Sequence, residues 1–215
     1  MTVIDKQPLT DLLKQGLQAL PVTLTDAQIE QIIAYLALLV KWNSVYNLTA
    51  VRDPKEMVKL HLLDSLSAVH AFSDAKNILD VGSGGGLPGI ILAIVYPEAK
   101  VSMIDTVSKK TAFLTQVKAE LGLRNVTVHT GRVELLKVAQ GFDVITSRAF
   151  SELNNFINWS GHLLADDGQF IAMKGVMPQE EIDRLPAGWV VTKVEPLVVP
   201  SLDAERHLVT IKRAI

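Results

Sequence analysis

Along the first 72 residues the hydrophobic positions recur at helical spacing, and Leu9, Leu12, Leu13, Leu17 and Leu20 make the first such stripe. A second helix opens at Thr25 and Gln28, which stand at the spacing of a capping box, and its apolar face is Ile29, Ile32, Ile33, Leu36, Leu39 and Val40. A third is predicted from Asp53 as N-cap, with Pro54 at the first helical position and Glu56 placed to reach back. It should run unbroken through Met57, Leu60, Leu63, Leu66 and Ala68 towards His70.

From Lys76 the pattern changes to short β-rich runs alternating with helical ones. Asn77 to Val81 reads as a strand, Leu87 to Tyr96 as a helix stopped by Pro97, and Lys100 to Asp105 as a second strand. Lys109 to Leu121 is amphipathic and ends at Gly122, a natural C-cap. Further strands are expected at Asn125 to His129, Phe142 to Ser147 and Gln169 to Met173. Such alternation means right-handed βαβ units and a parallel sheet covered by helices on both faces. Trp189 to Val199 and His207 to Lys212 are two strands with no helix between them, an expected antiparallel pair closing the sheet. The prediction is an α/β, Rossmann-like, doubly wound seven-stranded sheet, mostly parallel with an antiparallel last strand. Residues 1–72 are expected to form a helical N-terminal segment packed on a core of residues 73–215, the two making one compact unit.

Composition narrows the chemistry. The 215 residues are 48% hydrophobic and 20% charged, with 21 basic and 23 acidic side chains giving a net charge of −2, so any nucleic-acid binding must use a local basic patch. The absence of cysteine removes disulfides, zinc ribbons, iron–sulfur clusters and thiolate nucleophiles, and suits a reducing compartment. Met1 to Leu20 is interrupted by Asp5, Lys6, Asp11 and Lys14, so it lacks the apolar core of a secretory leader. The apolar run Ala34 to Val40 is too short to span a bilayer. A soluble cytoplasmic protein with no membrane role is expected. The histidines show no metal-ligand spacing, and no metal is assigned.

Between the first strand and its helix stands Asp80-Val81-Gly82-Ser83-Gly84-Gly85-Gly86-Leu87-Pro88-Gly89. Glycines there let backbone approach a ligand closely, as a nucleotide-cofactor site requires. No Gly-Lys-Ser/Thr follows, which excludes a P-loop, and Val81 where a nucleophile elbow needs glycine excludes that motif. Two parsings remain. Gly84 to Gly89 formally satisfies the dinucleotide pattern, whereas Asp80-x-Gly82-x-Gly84-x-Gly86 is the fingerprint of S-adenosylmethionine methyltransferases. The acid favours the second, because a carboxylate there suits a cofactor carrying an ammonium and would repel a pyrophosphate.

Supporting residues sit at carboxyl ends of strands. Asp105 is placed to bind a ribose hydroxyl, its alternative being a cap for the next segment. Val133 and Glu134 stand where a backbone amide and a carboxylate meet an adenine edge, although Glu134 also reads as a solvated acid at a helix start. Arg148 ends an apolar strand and faces the ligand crevice; Lys174 has the same place on the next strand, or else is a snorkelling surface lysine. These two are the candidates for catalytic positions. Trp42, Tyr46 and Trp159 read as core or interface aromatics.

With these residues in hand the chain resembles the bacterial 16S ribosomal RNA guanine-N7 methyltransferases, the glucose-inhibited division protein B family. The resemblance spans nearly the whole chain. It rests on Lys41-Trp42-Asn43 with Tyr46-Asn47-Leu48-Thr49, Val51-Arg52-Asp53-Pro54, His61 with Leu63-Asp64-Ser65, the loop from Asp80 to Gly89, Ser147-Arg148-Ala149-Phe150, Lys174-Gly175 and Glu205-Arg206-His207-Leu208-Val209. One departure is Gly85, where many relatives carry proline. The resemblance implies a class I methyltransferase fold, S-adenosylmethionine as cofactor, and Gly82, Leu87, Val133, Glu134 and Arg148 along its pocket. Its substrate would be a guanine in 16S ribosomal RNA, naked or in a small ribosomal subunit particle, and the enzyme is expected to be a monomer. Arg52, His61, Lys174, Arg206 and His207 lie in the matched segments and form the expected RNA-binding cations. Guanine N7 offers a lone pair and no proton, so transfer needs alignment more than a general base. Two rivals stand beside this reading: a nicotinamide-dependent oxidoreductase, and an RNA-binding protein that senses the cofactor without transferring anything.

Overall fold

The computed structural model describes residues 4–214, so the first three positions of the Met1 to Leu20 stretch lie outside the described residues. Seven strands form one sheet: β1 (Asn77–Val81), β2 (Lys100–Asp105), β3 (Val126–Thr130), β4 (Phe142–Arg148), β5 (Leu164–Lys174), β6 (Trp189–Pro196) and β7 (His207–Arg213). Their spatial order is β3-β2-β1-β4-β5-β7-β6. Strands β1 to β5 are parallel, while β7 runs antiparallel to both β5 and β6. The order reverses between β1 and β4, which opens a crevice at the carboxyl ends of the strands. Because β7 is reversed, its first residues arrive at that same end, where Lys174 pairs with His207.

Alternation along each strand divides the interior into two layers. Ile78, Val101, Met103, Val144 and Ile171 face α5 (Gly89–Val95), α6 (Ser108–Glu120) and the N-terminal helices. Leu79, Ile104, Ile145, Phe170 and Ala172 face α7 (Leu153–Ser160) on the other side.

Ahead of the sheet come α1 (Lys6–Leu17) and α2 (Asp26–Tyr46). The Thr25 capping box is formed, and α2 ends at Asn47 in the left-handed conformation with φ 51°. The stripe expected on α2 is buried except for half-buried Val40, and Tyr35 and Leu38 are buried as well. This helix is wedged between other elements rather than laid on one surface.

The third helix departs from expectation. It begins as α3 (Pro54–Met57) with the Asp53 carboxylate on the Lys55 amide, but becomes a π-helix over Val58–Leu63, returns to α-helix as α4 (Asp64–Ala68), and closes as a 3-10 turn over Val69–Phe72. The wider turn shifts the face that residues beyond Leu63 present, and such bulges concentrate at functional sites. Sequence periodicity carries no signal for it, because the same apolar positions fit an unbroken helix.

The helical segment is bonded to the sheet domain through its backbone as well as its apolar surface. Gln28 donates to the Ile94 and Val95 carbonyls at 2.9 and 3.2 Å, capping the end of α5, and Tyr96 returns a hydrogen bond to the Val69 carbonyl at 2.7 Å. Gly16 lets α1 approach the π-helical turn, since a Cβ there would lie 2.5 Å from Leu63 Cδ1. Gly16→Val should therefore lower stability by about 1–3 kcal/mol through overpacking. The measurement is a urea midpoint with its slope, and an unchanged midpoint would show that Leu63 moves aside freely.

Candidate functional site

The segment from Gly82 to Pro88 joins β1 to α5, and three side chains hold it. Asp80 shares the Ile78 face of β1, so its carboxylate turns beneath the loop, where Oδ2 accepts the Gly89 amide at 3.0 Å and Oδ1 has no partner. Burial raises its carboxyl to about 7 against the opposing effects of that amide and of Arg148. Asp80 was expected to meet a cofactor; the structure places it under the loop, lining neither of the cavities described below. Asp105, at the end of β2, holds the loop from the side: Oδ2 accepts Gly84 N–H at 3.0 Å and Oδ1 accepts Val107 N–H at 2.9 Å. From the helical segment, the buried Tyr35 hydroxyl donates to the Gly85 carbonyl at 2.6 Å. Burial pushes the Tyr35 phenol well above its ordinary range.

The loop also consumes its own amides. Gly82 and Ser83 donate to the Ile104 carbonyl, and Gly86 and Leu87 donate to the Ser83 carbonyl. Among the loop's N–H groups only that of Gly85 has no acceptor among the described residues, and Pro88 has none to offer. A pyrophosphate cradle requires several free amides at a helix start. Here a carboxylate already occupies that position, which removes the physical basis of the dinucleotide parsing.

Two cavities flank the loop and share Gly82 and Ala149. Gly82 has φ +69°, and a Cβ on it would run into the Phe150 ring, so the aromatic lies directly on bare backbone. Phe150 in turn stands edge-on to Trp159 at 5.7 Å between centroids. The larger cavity, about 650 Å³, is walled by Asp105, Val107, Val133, Glu134, Phe150 and Trp159. Glu134 pairs with Arg132 at 2.7 Å, and its own backbone amide together with that guanidinium holds its carboxyl below the usual range. An apolar slot with a carboxylate at the end of β2 and another near Val133 fits a nucleoside, with Asp105 keeping lone pairs for ribose hydroxyls after bonding the two amides.

The second cavity, about 530 Å³, is lined by Thr49, His61, Asp64, Leu87, Arg148, Lys174 and Arg206 among others. Its wall is organised by Asp64, which the sequence placed in the matched Leu63-Asp64-Ser65 segment without a role and which is only 2% exposed. One carboxylate oxygen accepts Arg148 Nη1 at 3.0 Å and the other accepts Arg206 Nε at 2.6 Å. Arg148 Nη1 also donates to the Leu60 carbonyl of the π-helical turn at 3.0 Å. His61 Nε2 lies 2.8 Å from the Thr49 hydroxyl, and burial reinforced by the Arg148 charge lowers the imidazole to about 4. His61 therefore stands neutral at pH 7.

Lys174 is already engaged. Its ammonium donates to the Ser151 carbonyl at 2.8 Å and to Glu181 at 2.7 Å, and the same Glu181 oxygen accepts the Leu153 amide at 2.8 Å. The effect is to fasten the β4–α7 connection, which carries Ala149 at φ 52°, to β5 and α8 (Gln179–Asp183). Of the cations expected to meet RNA, His61, Lys174 and Arg206 gather on this cavity. Arg52 and His207 do not line it: Arg52 donates to the Asn43 carbonyl at 2.9 Å and to the Asn47 side chain, and His207 Nδ1 to the Gly175 carbonyl at 2.7 Å. Tyr35 and Glu181 carried no local signal, and Asp64 carried a matched motif but no assigned role, since the partners of all three lie far away in the chain. No group of metal-binding side chains occurs among the described residues, and no helix there is long and apolar enough to cross a membrane.

The sheet order, the glycine loop and the paired cavities define a Rossmann-like class I methyltransferase. Solved structures share this fold at low identity: TrmN from Thermus thermophilus aligns with TM-score 0.57, at 15% identity over 100% of this chain and 81% of that one. The O-methyltransferase TomG from Streptomyces achromogenes, solved with S-adenosylmethionine, aligns with TM-score 0.59, at 14% identity over 99% and 100%. A family profile described as rRNA small subunit methyltransferase G matches residues 28–209, and the chain belongs to that family. Ribosomal RNA small subunit methyltransferase G of Herminiimonas arsenicoxydans is 64% identical, covering 99% of this chain and 100% of that one. Its counterpart from Janthinobacterium sp. (strain Marseille) is also 64% identical, with full coverage of both chains.

The depressed His61 value has a thermodynamic sign. Because the folded state holds the ring neutral down to about 4 while the unfolded ring protonates near 6.5, stability from this group is full above pH 6.5 and drains away as pH falls towards 4. Asp80 acts oppositely, its raised value giving stability that is full below 3.8 and lost as pH rises through about 7. Comparison with His61→Gln isolates the first effect, since Asp80 is common to both proteins. The wild-type advantage should shrink by on the order of 2 kcal/mol between pH 6.5 and 4. Urea titrations at several pH values measure it, and a constant difference would mean that the imidazole is not held neutral.

Proposed function

We propose that this protein transfers a methyl group from S-adenosylmethionine to N7 of a guanine in 16S small-subunit ribosomal RNA. The observation that carries the reading is the pair of cavities meeting at Gly82 and Ala149, one shaped for a nucleoside and the other lined by arginines. Bound S-adenosylmethionine supplies an electrophilic methyl group on a sulfonium.

Everything else is positioning by this chain. Asp105 and Glu134 orient ribose and adenine in the larger cavity, with Val133 against the ring. Gly82, common to both cavities, carries the cofactor across their junction, and Gly84 and Leu87 continue its path on the arginine-lined side, whereas Gly86, expected beside it, lines neither cavity and faces Ile90 and Leu114. Phe150 covers Gly82 and excludes water from the junction. The target base enters the second cavity, where Arg148 and Arg206 meet the charge that accompanies it. Asp80 acts from below by setting the loop's shape, and Lys174 by fastening the Ala149 turn.

The target atom, which the family resemblance implies, agrees with the lining of the second cavity. An exocyclic amine needs a partner to take its proton, whereas N7 attacks through a free lone pair. Asp64 is committed to two guanidiniums and Lys174 to Glu181, while His61, lowered to about 4 by burial and the Arg148 charge and bonded to Thr49, is a weak base. That lining favours alignment over proton transfer. A nicotinamide oxidoreductase is disfavoured by the consumed amides, and a purely sensing role by membership of a methyltransferase family. Since one chain supplies both cavities, a monomer working in the cytoplasm, on naked RNA or a small-subunit particle, is the form we infer.

The direct test is incubation of the protein with labelled S-adenosylmethionine and small-subunit RNA or particles, followed by mapping of the modified base. Label at guanine N7 is expected; label at another atom, or none with either substrate, overturns the reading. Two variants probe the cofactor half. Asp105→Ala should weaken binding of S-adenosylhomocysteine by about 1.5–3 kcal/mol, the range for a hydrogen bond to a charged group. Tyr35→Phe, which frees the Gly85 carbonyl alone, should weaken it by about 0.5–1.5 kcal/mol. Calorimetry decides both, with NAD as the control ligand: NAD binding as tight as that of S-adenosylhomocysteine would return the site to the dinucleotide class.

A further inference from the structure

Sequence reasoning assigned Arg148 to the cofactor and Arg206 to RNA, yet the structure ties both to one carboxylate. We propose that Asp64 is the positioning residue of a two-arginine site that takes one backbone phosphate of the RNA strand carrying the target nucleotide, an inference that rests on the function proposed above.

Charge comes first. Two guanidiniums share one carboxylate, so the cluster keeps one positive charge in excess. The other cation of this cavity, Lys174, is neutralised by Glu181. Geometry follows. Asp64 takes Arg148 through Nη1 and Arg206 through Nε, and the backbone carbonyls of Leu60 and Glu205 take one further N–H from each. Arg148 Nε and Nη2 and Arg206 Nη2 have no acceptor among the described residues. The side chains remain 21% and 24% exposed, in contrast to 3% for Asp64, so the anchor is dry and the free edges face the open cavity.

A guanine cannot enter that cavity alone, because it brings the phosphates of its own nucleotide to the mouth. A phosphodiester carries a single negative charge and two free oxygens, which matches the excess charge and the paired donor edges. Arginine presents such a fork only when its plane is fixed, and here one buried carboxylate fixes two planes at once. The three residues come from three regions of the chain: α4, the end of β4 and the approach to β7.

The experiment measures equilibrium RNA binding over a range of salt concentrations, with calorimetric binding of S-adenosylhomocysteine in parallel, for the wild type and for Asp64→Asn, Arg206→Ala and Arg206→Lys. Arg206→Ala should weaken RNA binding about tenfold, as loss of a charged hydrogen bond does. Its log–log salt slope should be shallower by about 0.7, one phosphate contact on a single strand. Arg206→Lys should keep the slope but recover only part of the affinity, because an ammonium carries the charge without the fork.

Asp64→Asn is the decisive variant. It adds net positive charge, so simple attraction would tighten RNA binding, whereas loss of positioning should weaken it about tenfold in protein that still binds S-adenosylhomocysteine within about twofold of wild type. Tighter or unchanged RNA binding by Asp64→Asn overturns the proposal. So does a loss of cofactor affinity without loss of RNA affinity in the Arg206 variants, which would make the cofactor's carboxylate the anion. Should Asp64→Asn fail to fold, the Arg206 pair decides: equal, undiminished binding by both sinks the site. Because the readout is binding, failure of the wild type to methylate RNA would overturn the functional reading separately.

Discussion

The hydrogen bond from the Gly89 amide to the Asp80 carboxylate sets the shape of the glycine loop, and the rest of the site is arranged around that shape. A segment with almost no side chains cannot pack itself, so its conformation has to be imposed by neighbours. Asp80 does this from beneath, Asp105 from the flank and Tyr35 from the helical segment, each addressing a different glycine. The carboxylate below is buried with one oxygen unpartnered, a costly arrangement that the fold tolerates where backbone must be held at the start of α5. The same bonds that shape the loop use up its donors, which is why it suits a cofactor without a pyrophosphate.

From this follows the role of the N-terminal helices. They form no separate module on the surface of the sheet: α2 supplies the Tyr35 hydroxyl, the π-helical turn supplies His61 and the Leu60 carbonyl, and α4 supplies Asp64. The arginine-lined cavity is thus a joint product of helical segment and sheet. Residues 1–72 supply one wall of that cavity, with His61 on the π-helical turn and Asp64 just after it.

Local pattern sufficed where the physics is local. The strand before the glycines, the Thr25 capping box, the C-cap at Gly122 and the helix-free pair at the end of the chain are each written in adjacent residues. Asp105 was legible because its place at the end of β2 is a matter of register, and the structure shows its carboxylate bonded to the Gly84 and Val107 amides at the edge of the larger cavity. Asp80 was legible as an acid beside glycines but not in its direction, which depends on which face of β1 meets α5. The roles of Asp64, quoted only within a matched motif, and of Glu181 were hidden for a different reason: an acid on a helix looks solvated until the arginine or lysine that desolvates it arrives from elsewhere. Lys174 shows the converse, since a cation at a strand end read as available until its carboxylate partner on α8 was known.

The pairing of Asp64 with Arg206 spans 142 residues, and Arg206 stands immediately before the final strand. During synthesis the glycine loop, β1 to β5 and Arg148 all leave the ribosome before the residue that completes the anchored arginine pair. The nascent chain therefore acquires its nucleoside-shaped cavity first and its second guanidinium last.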